Sequence, residues 1–171
     1  MEEKTSTRVA IGIIILAAAS RLLPHPPNVT PLTAIALLGG ATLAPVQAFL
    51  LPLAALALSD AFIGFHQTAP FVYASFLIVA ALGMRLKSDR AAGRIAGACL
   101  ASSVLFFLVT NFGVWLVGGL YPRTGAGLAE CFTAAIPFFR NSVLGDFAFT
   151  AALFGLEKAF HRVLVARPAT A

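Results

Sequence analysis

Residues 110–146 of the chain read TNFGVWLVGGLYPRTGAGLAECFTAAIPFFRNSVLGD. Two apolar segments meet here at a glycine-rich loop. Most of the remaining sequence is plain aliphatic helix, but polar and aromatic side chains gather in this stretch: Asn111, Trp115, Tyr121, Arg123, Arg140, Asn141 and Asp146. Because a charged side chain is costly in apolar surroundings, the positions at which charge is retained are the best guide to function.

Apolar residues make up 59% of the 171-residue chain, and charged residues only 11%. A soluble domain carries about 25% charged residues, and a soluble fold could not hide this much apolar surface. The composition therefore predicts a single integral-membrane domain over residues 1–171, with residues 1–8 and 163–171 as flexible tails and the lipid bilayer as partner. The net charge of +5 comes from basic residues at helix ends, which sets membrane orientation and does not form a nucleic-acid-binding patch.

Apolar segments separated by proline, glycine or charge predict an all-α membrane helical bundle with about six transmembrane helices. The predicted helices cover residues 9–23, 32–43, 44–65, 70–84, 95–117 and 141–160. Residues 9–19 also resemble the apolar core of a signal peptide. Glu2 and Glu3 offset the charge of Lys4 and Arg8, however, so an uncleaved first helix is favoured.

Two apolar segments, residues 32–43 and 128–139, are shorter than the roughly 20 residues that a full crossing needs. The first begins after Pro31, a favoured first-turn residue, and contains Gly39 and Gly40, which allow a close backbone approach or a break. We expect it to cross as a short tilted helix, the alternative being a re-entrant segment. Pro137 interrupts the second segment, which we expect to lie at the outer surface or to dip in without crossing.

Basic residues favour one orientation of the six helices. With both termini cytoplasmic, nine basic residues lie on the inner side and three on the outer side. The inner set is Lys4, Arg8, Arg85, Lys87, Arg90, Arg94, Lys158, Arg162 and Arg167, and the outer set is Arg21, Arg123 and Arg140. This bias predicts a multi-pass protein of the inner (plasma) membrane, with residues 24–28, 64–67 and 121–124 as outer loops.

Small and sulfur-containing residues have both structural and functional interpretations. Gly93, Gly97 and Ala101 recur every four residues, which is typical of close packing against a neighbouring helix but also arises by chance in a helix rich in alanine and glycine. Cys99 and Cys131 lie in apolar segments without a CxxC or Cys/His pattern, which indicates small buried residues. A thiol of Cys131 in contact with a ligand is the alternative.

The ionisable residues nearest the apolar segments predict a cavity toward the outer face. Asp60, Arg123, Arg140 and Asp146 all fall in the outer half of the six-helix arrangement, with His66 at its edge. Arg140 and Asp146 are separated by about 120° around a continuous helix, so we expect Arg140 to reach Asp60 instead. Two interpretations stay open: a ligand-binding site, or a salt bridge that locks helices together without a ligand.

Three further residues of this region have structural alternatives. Asn141 suits the N-cap of the last helix. Trp115 and Tyr121 are either interfacial anchors or walls of a cavity that stack on a planar ligand. The sequence contains no HExxH, no GxSxG and no phosphate-binding glycine loop, so we expect neither enzyme activity nor a catalytic residue, cofactor or metal.

Four segments are similar to the hallmark segments of an uncharacterised family of small bacterial inner-membrane proteins. They are RLLPHPPNVTPLTAIALLGGATL (21–43), LSDAFIGFH (58–66), TNFGVWLVGGLYPRT (110–124) and PFFRNSVLGD (137–146). The similarity covers residues 21–156. It implies a multi-pass membrane protein and brings no established activity.

The layout also resembles the substrate-binding S-components of energy-coupling-factor (ECF) vitamin transporters, which are six-helix proteins of similar size. The likeness rests on GGATLAPVQAFLLPLAALALSD (39–60), a turn followed by a helix that ends in an acidic residue. In that family small residues of the first helix contact the coupling subunit, a part that Ala17, Ala18 and Ala19 would play.

This second resemblance implies that a small solute, such as a vitamin or cofactor precursor, binds near the outer face. An ATP-driven coupling module would act in trans, since the chain has no nucleotide-binding motif. The implied ligand-binding residues are Asp60, His66, Asn111, Trp115, Tyr121, Arg123, Arg140, Asn141 and Asp146. The arginines would suit a carboxylate or phosphate, and the aromatic residues a ring. The alternative is a non-transporting structural or assembly protein whose polar cluster is a helix-locking salt-bridge network.

Overall fold

Six α-helices make up the part of the chain that the computed structural model describes, residues 2–19 and 26–165. In chain order they are α1 (Glu2–Ala19), α2 (Leu32–Thr42), α3 (Pro45–Ile63), α4 (Ala69–Met84), α5 (Ala92–Val117) and α6 (Gly125–Val165). These residues contain no strand, which confirms the all-α class. The predicted end of the first helix at residues 20–23, the first two residues of the predicted loop at 24–28, and residues 166–171 of the predicted tail lie outside the described residues.

Two of these helices are long and apolar enough to cross a membrane: α3 over Pro45–Phe62, and the whole of α5. The apolar parts of α1, α2 and α4 are shorter. Helices α3, α4 and α5 begin and end within three residues of the predicted bounds. Helix α1 begins at Glu2, well before the predicted start at residue 9.

Helix α2 lies at the centre of the bundle. Its residues from Leu32 to Ala41 are all buried, and it packs against each of the other five helices. Its 11 residues span about 16 Å at 1.5 Å per residue. Because neighbouring helices surround α2, a helix this short fits inside the bundle without having to span the apolar layer by itself. The helix ends where the backbone N–H of Leu43 donates to Gly39 O, and Pro45 then starts α3.

The closest helix contact joins α2 to α4 at two glycines. A Cβ atom added to Gly83 would lie 2.5 Å from the carbonyl oxygen of Leu37 and 2.9 Å from its Cα. A Cβ on Gly40 would lie 2.8 Å from the Cα of Gly83. The two backbones therefore touch directly, a contact that small residues permit between apolar helices. Of the two outcomes expected for Gly40, close approach and a helix break, the structure has the first.

The stripe predicted to receive a neighbouring helix faces away from the bundle. A Cβ on Gly93 or Gly97 would meet nothing within 4 Å among the described residues, and Ala101 is exposed. The described residues therefore show no helix packed against this stripe. Spacing alone does not tell which face of a helix packs inside the chain.

Helix α6 corrects the prediction for residues 128–160. The predicted short piece at 128–139 and the predicted last helix at 141–160 are parts of one helix of 41 residues, Gly125–Val165, with Pro137 inside it. A proline removes a single backbone donor, and here the helix continues on both sides. Asn141 therefore lies in a helix interior and is not an N-cap. At about 62 Å, α6 is twice as long as the hydrocarbon core of a bilayer, which is about 30 Å thick.

Candidate functional site

A cavity of about 260 Å³ is lined by residues of five helices and two loops. Its polar lining comes from the loop before α2, from α2, α3 and α6, and from the loop after α3; its apolar lining comes from α2, α3, α4 and α5. The polar residues are Asn28, Thr30, Thr33, Asp60, His66, Ser142 and Asp146, and the apolar ones are Leu32, Leu56, Val72, Phe76 and Phe106. Of the described residues, no lysine or arginine lines this cavity, so its fixed charges are two carboxylates.

Asp60 lies in the last turn of α3 and is only 6% exposed. The Tyr73 hydroxyl of α4 donates a hydrogen bond to its Oδ2 at 2.9 Å. Helix α3 ends just beyond it at Gly64, whose φ of 101° is a conformation that other residues rarely adopt. This turn lets the loop that carries His66 return over the cavity.

Asp146 is the matching carboxylate on α6, also 6% exposed. The Ser103 hydroxyl of α5 donates to its Oδ2 at 2.6 Å, and the Thr33 side chain of α2 is a further hydrogen-bonding partner. A buried carboxylate is costly unless it accepts hydrogen bonds. The partners on α2 and α5 therefore both stabilise Asp146 and fix the direction in which it points.

The rim of the cavity is formed by the loop before α2. The Asn141 amide of α6 donates to the Pro27 carbonyl oxygen at 3.4 Å, next to the cavity residue Asn28. A Cβ on Gly145 would lie 3.1 Å from a methyl group of Val29, so the loop lies flat on α6 one residue before Asp146. Asn141 thus supports the rim of the cavity without lining it.

Of the nine residues predicted to bind ligand, the structure brings Asp60, His66 and Asp146 together in one cavity. Asn111 donates to the Phe107 carbonyl of its own helix at 2.8 Å. Trp115 donates to the Pro122 carbonyl at 2.9 Å and lies 5.5 Å from the ring of Phe112, so it holds the α5–α6 loop. Tyr121, in the same loop, is half-buried, and Arg123 is exposed; none of these lines the cavity.

The expected pairing of Arg140 with Asp60 is wrong. Arg140 is exposed on α6, and the rotation of about 120° between positions 140 and 146 turns it away from the cavity. The ion pairs of the described residues are instead Arg90 with Glu157, at 3.2 Å, and Arg94 with Asp89, at 3.0 Å. Arg123 and Arg140 were grouped with the cavity because both are predicted to lie in the outer half of the membrane. That position does not determine whether a side chain faces the cavity.

Sequence reasoning missed the hydroxyl groups of the cavity. Thr30, Thr33 and Ser142 line it, and Ser103 and Tyr73 orient its two carboxylates. Thr33 carried a weak signal, since it is the one polar residue among the ten consecutive buried residues of α2. Ser103 carried none, because serines in apolar helices usually donate to a carbonyl of their own helix, as Ser102 does to Ala98.

Comparison with known proteins places the chain in a family. The model of the family of unknown function DUF6580 matches residues 1–167. No curated protein matches the chain, and no solved structure matches it. Since the family match spans nearly the whole sequence, the chain belongs to DUF6580, in agreement with the uncharacterised family expected from its sequence segments.

Proposed function

We propose that this DUF6580 protein is a multi-pass protein of the bacterial inner membrane that binds a small basic solute in the Asp60–Asp146 cavity. The observation that carries the proposal is the convergence of two buried carboxylates with hydroxyl and imidazole groups on one cavity of about 260 Å³. Six crossings with both termini cytoplasmic complete the proposed arrangement.

The outer surface of the bundle supports a lipid environment. Large apolar side chains are exposed on several helices, among them Leu16 of α1 at 74%, Phe62 of α3 at 81% and Leu144 of α6 at 71%. A soluble monomer rarely exposes apolar patches larger than a few hundred Å². The basic residues of the α4–α5 loop and of the end of α6 support a cytoplasmic position for that end of the bundle.

The charge of the cavity supports a basic solute. Among the described residues, two carboxylates and no arginine line the cavity, and Arg123 and Arg140, which suggested a carboxylate or phosphate ligand, lie outside it. Asp60 accepts a hydrogen bond from Tyr73, and Asp146 accepts hydrogen bonds from Ser103 and Thr33. A carboxylate can accept several hydrogen bonds, so an ammonium group would find acceptors here, while Leu56, Phe76 and Phe106 would contact the apolar part of the solute.

Transport is the further step of this proposal. It rests on the resemblance of the sequence at residues 39–60 to ECF S-components, which would imply inward movement of a vitamin or cofactor precursor with an ATP-driven module in trans. The cavity lies near the loops at residues 26–30 and 64–67, which the proposed orientation puts at the outer face. A solute would therefore enter from outside.

A structural or assembly role is the second candidate. It is favoured by the hydrogen bonds that the two carboxylates already make across helices, Tyr73 to Asp60 and Ser103 to Asp146. In this alternative the carboxylates join α3 to α4 and α5 to α6, and the cavity holds only water.

Binding is tested by a thermal-shift screen of the purified protein in detergent against a panel of small amines and of vitamins and their precursors. We expect at least one basic compound to raise the melting temperature, and we expect Asp60→Asn to weaken its binding about tenfold or more, since a hydrogen bond to a charged group contributes about 1.5–3 kcal/mol. Glu130→Gln, an equal change at an exposed site of α6, should bind as the wild type does. A screen without hits, together with an Asp60→Asn protein that melts well below the wild type, would favour the structural role.

A further inference from the structure

A second concave feature lies between α5 and α6, on the side of the α4–α5 loop. This groove has a volume of about 690 Å³ and takes its walls from the first two turns of α5 and the second half of α6. It shares no residue with the Asp60–Asp146 cavity. The proposed solute therefore does not contact this groove.

The groove is apolar at one end and cationic at the other. Ile95, Phe147 and Phe154 form its apolar walls, and Lys158, His161 and Arg162 lie at its far end. On α6 the lining residues recur every three or four positions from Phe147 to Arg162, so they occupy one helix face about 22 Å long. Gly155 leaves room in the middle, since a Cβ there would meet nothing within 4 Å among the described residues.

The positive charge at this end is not neutralised within the described residues. Glu157 is 7% exposed and pairs with Arg90 through Nη1 and Oε1 at 3.2 Å, while Arg90 Nη2 also donates to the Ala41 carbonyl at 2.5 Å. That acidic residue is therefore already matched. Lys158 and Arg162 form no ion pair with any residue of the range 26–165. They therefore remain as unpaired cations at the cationic end of the groove.

We propose that this groove binds an anionic phospholipid, with its phosphate group at Lys158 and Arg162 and one acyl chain along Ile95, Phe147 and Phe154. Basic pockets between membrane helices on the cytoplasmic side recognise such headgroups. The change from apolar to cationic along the groove matches the change from acyl chain to phosphate along the lipid. The inference rests on the membrane placement proposed above but is independent of the solute.

Native mass spectrometry of the full chain tests the groove. The protein in nonionic detergent is mixed with equal amounts of phosphatidylglycerol and phosphatidylcholine that carry the same acyl chains. We expect the wild type to retain phosphatidylglycerol in preference, and Lys158→Gln/Arg162→Gln to lower that preference roughly tenfold or more. Arg85→Gln/Arg94→Gln removes the same charge from the same end of the bundle, outside the groove, and should keep the preference.

A second variant separates the groove from a simple charged surface. Gly155→Phe keeps both cations and fills the exposed centre of the groove, so it should lose bound phosphatidylglycerol while melting as the wild type does. Excess inorganic phosphate should not displace the lipid. Equal retention of the two lipids, loss of preference in the Arg85/Arg94 control, lipid retained by Gly155→Phe, or displacement by phosphate would each overturn the proposal. Solute binding at Asp60 would be unaffected by any of them.

Discussion

Gly83→Ala is expected to destabilise the fold by about 3 kcal/mol or more, the upper range for overpacking a tight core. The added Cβ would lie 2.5 Å from the Leu37 carbonyl oxygen and 2.9 Å from the Leu37 Cα. Both are backbone atoms of the buried central helix α2, so no flexible side chain can move to make room. In a protein of this size the loss corresponds to a fall in melting temperature of roughly 10 °C, measured by thermal unfolding in detergent. Gly40→Ala, on the other side of the same contact, should have a similar effect.

Gly97→Ala is the matched control for this prediction. It makes the same chemical change inside a helix, but its Cβ would meet nothing within 4 Å among the described residues. Since alanine favours a helix by up to about 1 kcal/mol over glycine, this variant should melt at or slightly above the wild-type temperature. If Gly83→Ala and Gly97→Ala melted alike, the direct contact between α2 and α4 would be wrong.

Arg90→Met should be the other strongly destabilising substitution, by about 2–3 kcal/mol. The guanidinium of Arg90 joins α6 to α2, through Glu157 at 3.2 Å and the Ala41 carbonyl at 2.5 Å. Its removal leaves the Glu157 carboxylate, whose side chain is 9% exposed, without a counter-ion. The expected loss is below that of a fully buried pair because the Arg90 side chain is 35% exposed. Thermal unfolding in detergent measures it.

Two further variants isolate the cause. Arg94→Met breaks an ion pair whose side chains are 64% and 42% exposed, and exposed pairs contribute about 1 kcal/mol or less. Arg90→Met/Glu157→Met removes both charges of the buried pair and should recover much of the stability, because no orphaned carboxylate remains. Equal losses for Arg90→Met and Arg94→Met, or no recovery in the double variant, would contradict this role of Arg90.

The sequence predicted the helices whose ends are marked by strong chemical signals. Pro45 starts α3, and glycines follow the ends of α3 and α5 at Gly64 and Gly118, so these bounds were predictable. The extent of helix α6 was not predictable. A proline removes one backbone hydrogen-bond donor, and a single sequence does not reveal whether packing keeps the helix continuous in spite of that loss. The burial of α2 on all sides was also hidden, since a short apolar segment fits a re-entrant or a tilted helix equally well.

For the candidate site, the sequence identified ionisable residues but not the faces on which they lie. Asp60 and Asp146 stood out because carboxylates are rare in apolar segments, and both line the cavity. Arg140 stood out for the same reason, yet it is exposed on α6. Thr33 and Ser103, which orient Asp146, gave little signal, since only the packing of α2 and α5 on α6 shows that their hydroxyls point at a neighbour.

Both proposed binding sites depend on one arrangement, in which α5 crosses the membrane and separates the α4–α5 loop from the α5–α6 loop. Reporter fusions at Ser88 and Thr124 measure this directly, because the two residues lie in those loops on either side of the 26-residue helix α5. We predict a cytoplasmic signal from the fusion at Ser88 and an external signal from the fusion at Thr124. Signals from the same side of the membrane would contradict the arrangement, and with it the outer solute cavity and the inner lipid groove.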